Sequence, residues 1–227
     1  MTERETPSVD GLVVGILGGT GDQGRGLARR FALAGHQVII GSRSSERAAA
    51  AAQEIGHGVQ GLANADAARG ASVIIAAVPW EGHGDLLSAL AGELAGKIVV
   101  DCVNPLGFDQ RGAYALPVAE GGPAEGSAAQ QAAALLPGSR VVAAFHHVSA
   151  VLLLDPEVDT IDLDVLVLGD DREATDLVQA LAARIPGVRG IYAGRLRNCG
   201  QIEALTANLV SINRRYKAHA GLRVTDI

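Results

Sequence analysis

Lysine is nearly absent from this 227-residue chain: Lys97 and Lys217 stand alone, and almost all the positive charge is arginine. The formal net charge is −6, which excludes the broad basic face that a general nucleic-acid partner requires. Cysteine is scarce as well. Cys102 and Cys199 make neither a disulfide framework nor a metal-ligand spacing, so no metal is expected. No uninterrupted apolar run reaches the roughly 18 residues of a membrane span. The polar, proline-containing opening Met1–Asp10 is unlike a secretory signal. These absences lead us to expect a cytoplasmic protein with no membrane partner. A Ser-His-Asp or Cys-His signature is missing too, so any catalysis here does not advertise a nucleophile.

What is present is an apolar, glycine-rich chain, 48% hydrophobic with 29 glycines, long enough for one large domain or a nucleotide domain with a smaller companion. Its most informative stretch is Leu12 to Arg47. Leu12-Val-Val-Gly-Ile-Leu17 is an apolar run of strand length, followed by Gly18-Gly-Thr-Gly-Asp-Gln-Gly24 and a helical pattern to Ala34. Gly19, Gly21 and Gly24 fit a dinucleotide turn. In that reading the first makes the tight turn, the second lets backbone approach a pyrophosphate, and the third lets helix pack on strand. Free amides at the helix N-terminus and the helix dipole then favour the anion. Gly56, Gly58 and Gly61 match the same pattern in reversed context, after a helix and before a strand, and read as loop.

The next strand, Gln37–Ile40, runs into Gly41-Ser42-Arg43. A carboxylate near this point holds the ribose hydroxyls of NAD, whereas arginine accommodates the 2′-phosphate of NADP. Ser42, Arg43 and, one helical turn on, Arg47 stand here without a carboxylate at the strand end. Arginine pairs with phosphate in a planar fork and stacks on adenine. NADP(H) is the expected cofactor.

Strands and helices keep alternating. Ser44 or Ser45 caps a helix to about Glu54, Val59–Leu62 is a short strand, and Asn64 caps another helix. Ser72–Val78 is a buried strand ending at Pro79-Trp80, a helix spans Gly84–Ala95, and Lys97–Cys102 is the next strand, ending at Asn104-Pro105. Phe108–Gly126 reads as loop, followed by helix Ser127–Leu136 and strand Arg140–Phe145. Strands Asp164–Leu168 and Gly190–Ala193 flank helix Arg172–Ile185, and a long helix covers about Gln201–His219. Continuous apolar strands separated by helices indicate an α/β, Rossmann-like, doubly wound parallel sheet. We expect a nucleotide-binding domain over residues 11–150 and a small C-terminal α/β domain over 151–227.

The motifs Gly18-Gly-Thr-Gly21, Gly41-Ser-Arg43, Val78-Pro-Trp80 and Val142-Ala-Ala-Phe-His146 closely resemble those of the deazaflavin-dependent NADP reductases, or NADPH:coenzyme F-420 oxidoreductases. The resemblance runs from about residue 12 to the C-terminus. It implies reversible hydride transfer between NADPH and the 8-hydroxy-5-deazaflavin coenzyme, within a homodimer. It also implies that Thr20, Gly21, Asp22 and Gln23 line the pyrophosphate and nicotinamide side, and that Ser42, Arg43 and Arg47 hold the 2′-phosphate. Val78, Pro79, Trp80 and Asn104 then lie at strand ends facing the nicotinamide. His146, Val148 and Ala150 belong to the stretch beside the deazaflavin ring, with Leu222 contributing from the final segment. Here the chain departs from the pattern: His147, Val148 and Ser149 stand where relatives often carry a smaller polar residue, Ile and Pro.

Such a site needs no strong acid or base, because hydride moves directly between two planar carriers held face to face. His146 is the one polar strand-end candidate for contact with a ring carbonyl, and His147 points to the opposite face. Two other readings stay open: an NADPH-dependent reductase of an imine, keto acid or flavin, and a non-catalytic NADP(H)-sensing module.

Overall fold

A computed structural model describes residues 7–227; the first six residues, part of the polar opening stretch, lie outside it. In chain order the elements are β1 (Val13–Leu17), α1 (Asp22–Leu33), β2 (Gln37–Ser42), α2 (Ser45–Ile55), β3 (Gln60–Ala63), α3 (Asn64–Gly70) and β4 (Val73–Ala76). They continue with α4 (His83–Ala89), α5 (Ala91–Leu94), β5 (Ile98–Asp101), β6 (Leu106–Asp109), β7 (Gly112–Ala115), α6 (Ala128–Leu135), β8 (Arg140–Ala143) and α7 (Ala150–Leu154). The chain closes with β9 (Leu163–Gly169), α8 (Arg172–Ala182), β10 (Val188–Gly194) and α9 (Cys199–Tyr216).

Eight strands form one sheet in the order β10-β9-β8-β5-β4-β1-β2-β3. From β3 to β8 neighbours are parallel, and strand order reverses between β1 and β4, the switch point of a doubly wound sheet. β9 joins β8 in antiparallel register and β10 follows β9 in parallel, so the strands after residue 150 extend the same sheet with reversed direction. The alternation of side chains divides the core. Val14, Ile16, Val73, Ile75, Ile98 and Val100 meet α1 residues Leu27 and Phe31 on one face. Leu17, Ile74, Ala76 and Val99 meet Leu87, Leu94 and Ala132 on the other. Both faces are covered, which is why the strands read as continuous apolar runs.

Local chemistry sets the helix starts. Ser44 accepts from Arg47 N, Ser127 from Gln130 N and Asp171 from Ala174 N, so α2, α6 and α8 open on side-chain caps. Asn64 does not cap α3: the cap position falls on Ala63, and Asn64 is buried in the first turn. The stretch Gly84–Ala95 is two helices broken at Leu90, which lets Leu87, Leu90 and Leu94 all enter the second core. The expected loop Phe108–Gly126 overlaps a hairpin, β6–β7. Its turn is made by Asp109, whose Oδ1 accepts from Arg111 N at 2.7 Å and Gly112 N at 3.1 Å. Gly61 lies in β3, in line with the expected strand Val59–Leu62 and not with the loop reading of its glycine pattern: a Cβ there would lie 2.1 Å from Ala48 O, so glycine allows α2 to lie on β3.

Candidate active site

The parallel sheet delivers the carboxyl ends of β1, β2, β4, β5 and β8 to one edge, and the residues singled out in the sequence gather there. After Leu17 the chain turns at Gly18, whose φ of +69° is rarely open to a side chain. A Cβ at Gly18 would meet Val78 Cγ1 at 2.4 Å. Gly19 packs against Ile40, where a Cβ would come within 2.6 Å, and Gly24 packs against Gly19. At Gly21 the nearest atom to an added Cβ is Gly18 O at 3.8 Å, leaving the approach to this backbone open. The left-handed turn thus falls on Gly18 rather than Gly19. Gly19 and Gly24 serve packing, and Gly21 leaves room for a ligand. No side chain caps α1, so its first amides are available to an anion. Thr20 and Gln23 are half-buried beside this turn, and Asp22 is exposed.

At the end of β2, Ser42 is buried and Ser44 caps α2, while Arg43 and Arg47 are exposed. Neither guanidinium forms an ion pair or hydrogen bond among the described residues. Asn64 lies against Gly41 at the same strand end, its Oδ1 buried without a partner.

The other strand ends are tied together by hydrogen bonds. Gln23 Nε2 donates to Phe145 O at 3.3 Å, joining the glycine turn to the exit of β8. Phe145 has a φ of +65°, a costly conformation for a bulky residue, and its buried ring sits edge-on to Phe31 at 6.0 Å. Asn104 Nδ2 donates to His146 O at 2.8 Å, and the Thr206 hydroxyl of α9 reaches Asn104 Oδ1 at 3.3 Å. Trp80 Nε1 donates to Gly121 O at 2.8 Å, and its ring stacks on His83 with centroids 5.5 Å apart.

The imidazole of His146 is enclosed beyond the end of β8. It is 4% exposed, with both nitrogens enclosed and unpartnered, so it faces the interior while its carbonyl is held by Asn104. Burial pushes its pKa down to about 4, with Asp101 and backbone groups of Cys102 and Val103 opposing weakly. His147 turns instead toward β9, where its Nε2 accepts from Leu166 N at 3.4 Å; burial and the His146 ring lower it to about 4. Both rings are neutral at pH 7. Val148 is buried and Ala150 half-buried at the start of α7.

The final segment reaches the same edge. β9 runs antiparallel to β8, so its first residues lie beyond the carboxyl end of β8. There Asp164 N donates to Leu222 O at 2.8 Å, and Arg189 and Arg223 hold the Asp164 carboxylate, keeping it far below the usual range. His219 Nδ1 lies 3.5 Å from Ser149 Oγ.

Two buried polar features went unread in the sequence. His83 Nε2 lies 2.6 Å from Asp101 Oδ2, with both side chains wholly buried. A carboxylate closing the otherwise apolar Ile98-Val-Val-Asp101 was the available signal, since a buried charge demands a partner. Glu203 on α9 accepts from Ala128 N and Ala129 N at the start of α6. Burial raises it to about 7 against the pull of those two amides.

This arrangement, a doubly wound sheet with an uncapped glycine turn at its first strand and polar strand ends gathered beyond it, defines a protein of the Rossmann-like dinucleotide-binding class. The family profile described as NADP oxidoreductase, coenzyme F420-dependent, matches residues 13–105. An F420-dependent NADP reductase of Methanothermobacter marburgensis is 40% identical over 95% of this chain and 99% of its own length. One from Methanocaldococcus jannaschii is 39% identical, again over 95% and 99%. The chain belongs to this family of coenzyme F420-dependent NADP oxidoreductases. A crystal structure from Arthrobacter sp. FB24 superposes with a TM-score of 0.81 at 28% identity, covering 95% of this chain and all of the other. Plasmodium falciparum pyrroline carboxylate reductase with NADP bound shares the fold, with a TM-score of 0.60 at 11% identity over 92% of this chain and 67% of that one. Among the described residues, no helix is long and apolar enough to cross a membrane, and no cluster of metal-ligating side chains occurs.

Proposed function

We propose that this protein catalyses reversible hydride transfer between NADPH and the 8-hydroxy-5-deazaflavin coenzyme F-420. The observation that carries the reading is one edge of the sheet: an uncapped helix N-terminus above Gly21 beside the Ser42-Arg43 strand end, in a chain 40% identical to an F420-dependent NADP reductase. When bound, the two coenzymes supply the hydride donor and acceptor, and the protein's task is orientation.

The residues present fit that task. The backbone from Gly19 to Gly24, with Thr20 and Gln23 at its side, cradles the pyrophosphate. Ser42, Arg43 and Arg47 hold the 2′-phosphate, with hydrogen bonds to charge worth roughly 1.5–3 kcal/mol each. Val78, Pro79, Trp80 and Asn104 set the nicotinamide against the stretch from His146 to Ala150. Gln23 and Asn104 fix that stretch through the carbonyls of Phe145 and His146, and the neutral, enclosed histidines keep charge away from the ring. Holding two reactants in a near-attack pose accounts for roughly 7–11 kcal/mol of a barrier. Within this reading residues 11–150 bind NADP(H), and residues 151–227 contribute Leu222 to the deazaflavin side and contacts in a cytoplasmic homodimer.

The test is direct. Purified protein given NADPH bleaches the absorbance of oxidised coenzyme F-420; no change with the authentic coenzyme rejects the assignment.

A further inference from the structure

The buried pair His83–Asp101 lies directly beneath the strand ends but touches neither the glycine turn nor the arginines. Both ring nitrogens of His83 face oxygen: Nε2 is 2.6 Å from Asp101 Oδ2, and Nδ1 is 3.0 Å from Gln131 Oε1. The Gln131 amide is oriented by its Nε2, which donates toward Glu125 Oε2 at 3.5 Å. A neutral imidazole has one N–H and one lone pair, so two oxygen acceptors are both satisfied only by the imidazolium. Its charge is met on every side: Asp101 from β5, the Gln131 oxygen from α6, Glu203 from α9, and the Trp80 face stacked at 5.5 Å and 30°. A cation under an indole face is favourable, more so when desolvated. Asp101 also acts on His146, whose ring burial nevertheless keeps neutral.

Asp101 also reaches forward. Its Oδ1 accepts from Val103 N at 3.0 Å, fixing the turn out of β5 that presents Asn104. One ion pair therefore braces two strand ends: Trp80 through stacking, and Asn104 through the Val103 turn.

We propose that His83, held as an imidazolium by Asp101, is a positioning residue that fixes Trp80 and Asn104 beyond the ends of the adjacent strands β4 and β5, where the functional reading sets the nicotinamide. The proposal deepens the functional reading above and rests on it. Buried ion pairs contribute little net stability but do specify geometry, and geometry is what hydride transfer demands.

Trp80 is the only tryptophan in the chain, so its emission reports the stack without any assay of activity. An imidazolium quenches indole more strongly than a neutral imidazole. Wild-type emission is expected to be low on the acid side and to rise with a midpoint above the ordinary histidine value of 6.5, because burial, which lowers the His83 pKa, is outweighed by the Asp101 hydrogen bond and charge, which raise it. His83→Gln is expected to be bright and flat with pH. A flat wild-type profile, or a midpoint at or below the ordinary value of 6.5, overturns the charged pair.

In the NADPH–deazaflavin assay, His83→Gln and Asp101→Asn are expected to lose about 10–100-fold in kcat while NADPH KM changes little. Unchanged kcat in a variant that keeps wild-type circular dichroism overturns the positioning role. If the wild-type protein itself leaves the deazaflavin oxidised, the functional reading fails. The positioning role at a deazaflavin crevice fails with it, whereas the pH profile still decides whether the charged pair exists.

Discussion

Gly24 lies so close to Gly19 that a methyl group on the former would come within 2.7 Å of the Cα of the latter and 3.1 Å of Gly18 O. Both obstacles are backbone, so neither rotates away. Gly24→Ala should push α1 off β1, costing about 1–3 kcal/mol as overpacking does and weakening NADPH binding through displaced amides. Urea unfolding and a fluorescence titration with NADPH measure the two effects; a variant equal to wild type in both shows that the helix moves freely.

Arg43 governs cofactor choice in the functional reading. Arg43→Ala should weaken NADPH binding about 10–150-fold, the equivalent of roughly 1.5–3 kcal/mol, and leave NADH nearly unaffected. Equal losses for the two nucleotides would remove the 2′-phosphate assignment.

Arg30 is 3% exposed and gives its guanidinium to four backbone carbonyls: Leu152 at 2.5 Å, Val158 at 2.7 Å, Leu153 at 2.9 Å and Asp155 at 3.3 Å. It clamps the end of α7 and the residues after it to α1. Arg30→Ala should destabilise the fold by roughly 3–5 kcal/mol, and Arg30→Lys should recover only part, because an ammonium lacks the planar fork. A loss below 1 kcal/mol in the alanine variant would mean that water replaces the side chain at those carbonyls.

The two buried histidines make stability depend on acid. In the unfolded chain each titrates near 6.5, and in the folded protein burial holds them near 4. Their contribution is complete above pH 6.5 and is lost as pH falls through 4, because the unfolded state takes up protons that the folded state refuses. Glu203, raised to about 7, has the opposite sign: its contribution is present below 4.5 and lost as pH rises through 7. The histidine effect is therefore read as a difference, with His147→Gln expected to flatten the acid limb by about one proton. Urea midpoints from pH 8 to pH 4 provide it; parallel curves for wild type and variant refute the neutral buried ring.

The strands, their burial on both faces and the dinucleotide turn were legible because each is written in consecutive residues. Leu12–Leu17, Val73–Val78 and Ile98–Val100 are apolar without a break, and parallel sheets covered on both sides read that way. The position of Arg43 directly after β2 was legible for the same reason. The β6–β7 hairpin was masked by its glycines and polar residues, although Asp109 and Gly112 carry the turn. The strand around Gly61 was legible, but the reason for glycine there was not, because it comes from Ala48 of a neighbouring helix.

Pattern along the chain thus determined the alternation of elements and the glycine turn. Tertiary structure alone decided that His146 turns inward, that Gln23 holds the carbonyl of Phe145, and that β9 and β10 reverse direction yet stay in the sheet. It also paired His83 with Asp101 across 18 positions. The physical reason is range. Periodicity and turn chemistry act between near neighbours, whereas the partner of a buried polar group is whichever atom packing brings within about 3 Å, and sequence separation does not constrain that choice.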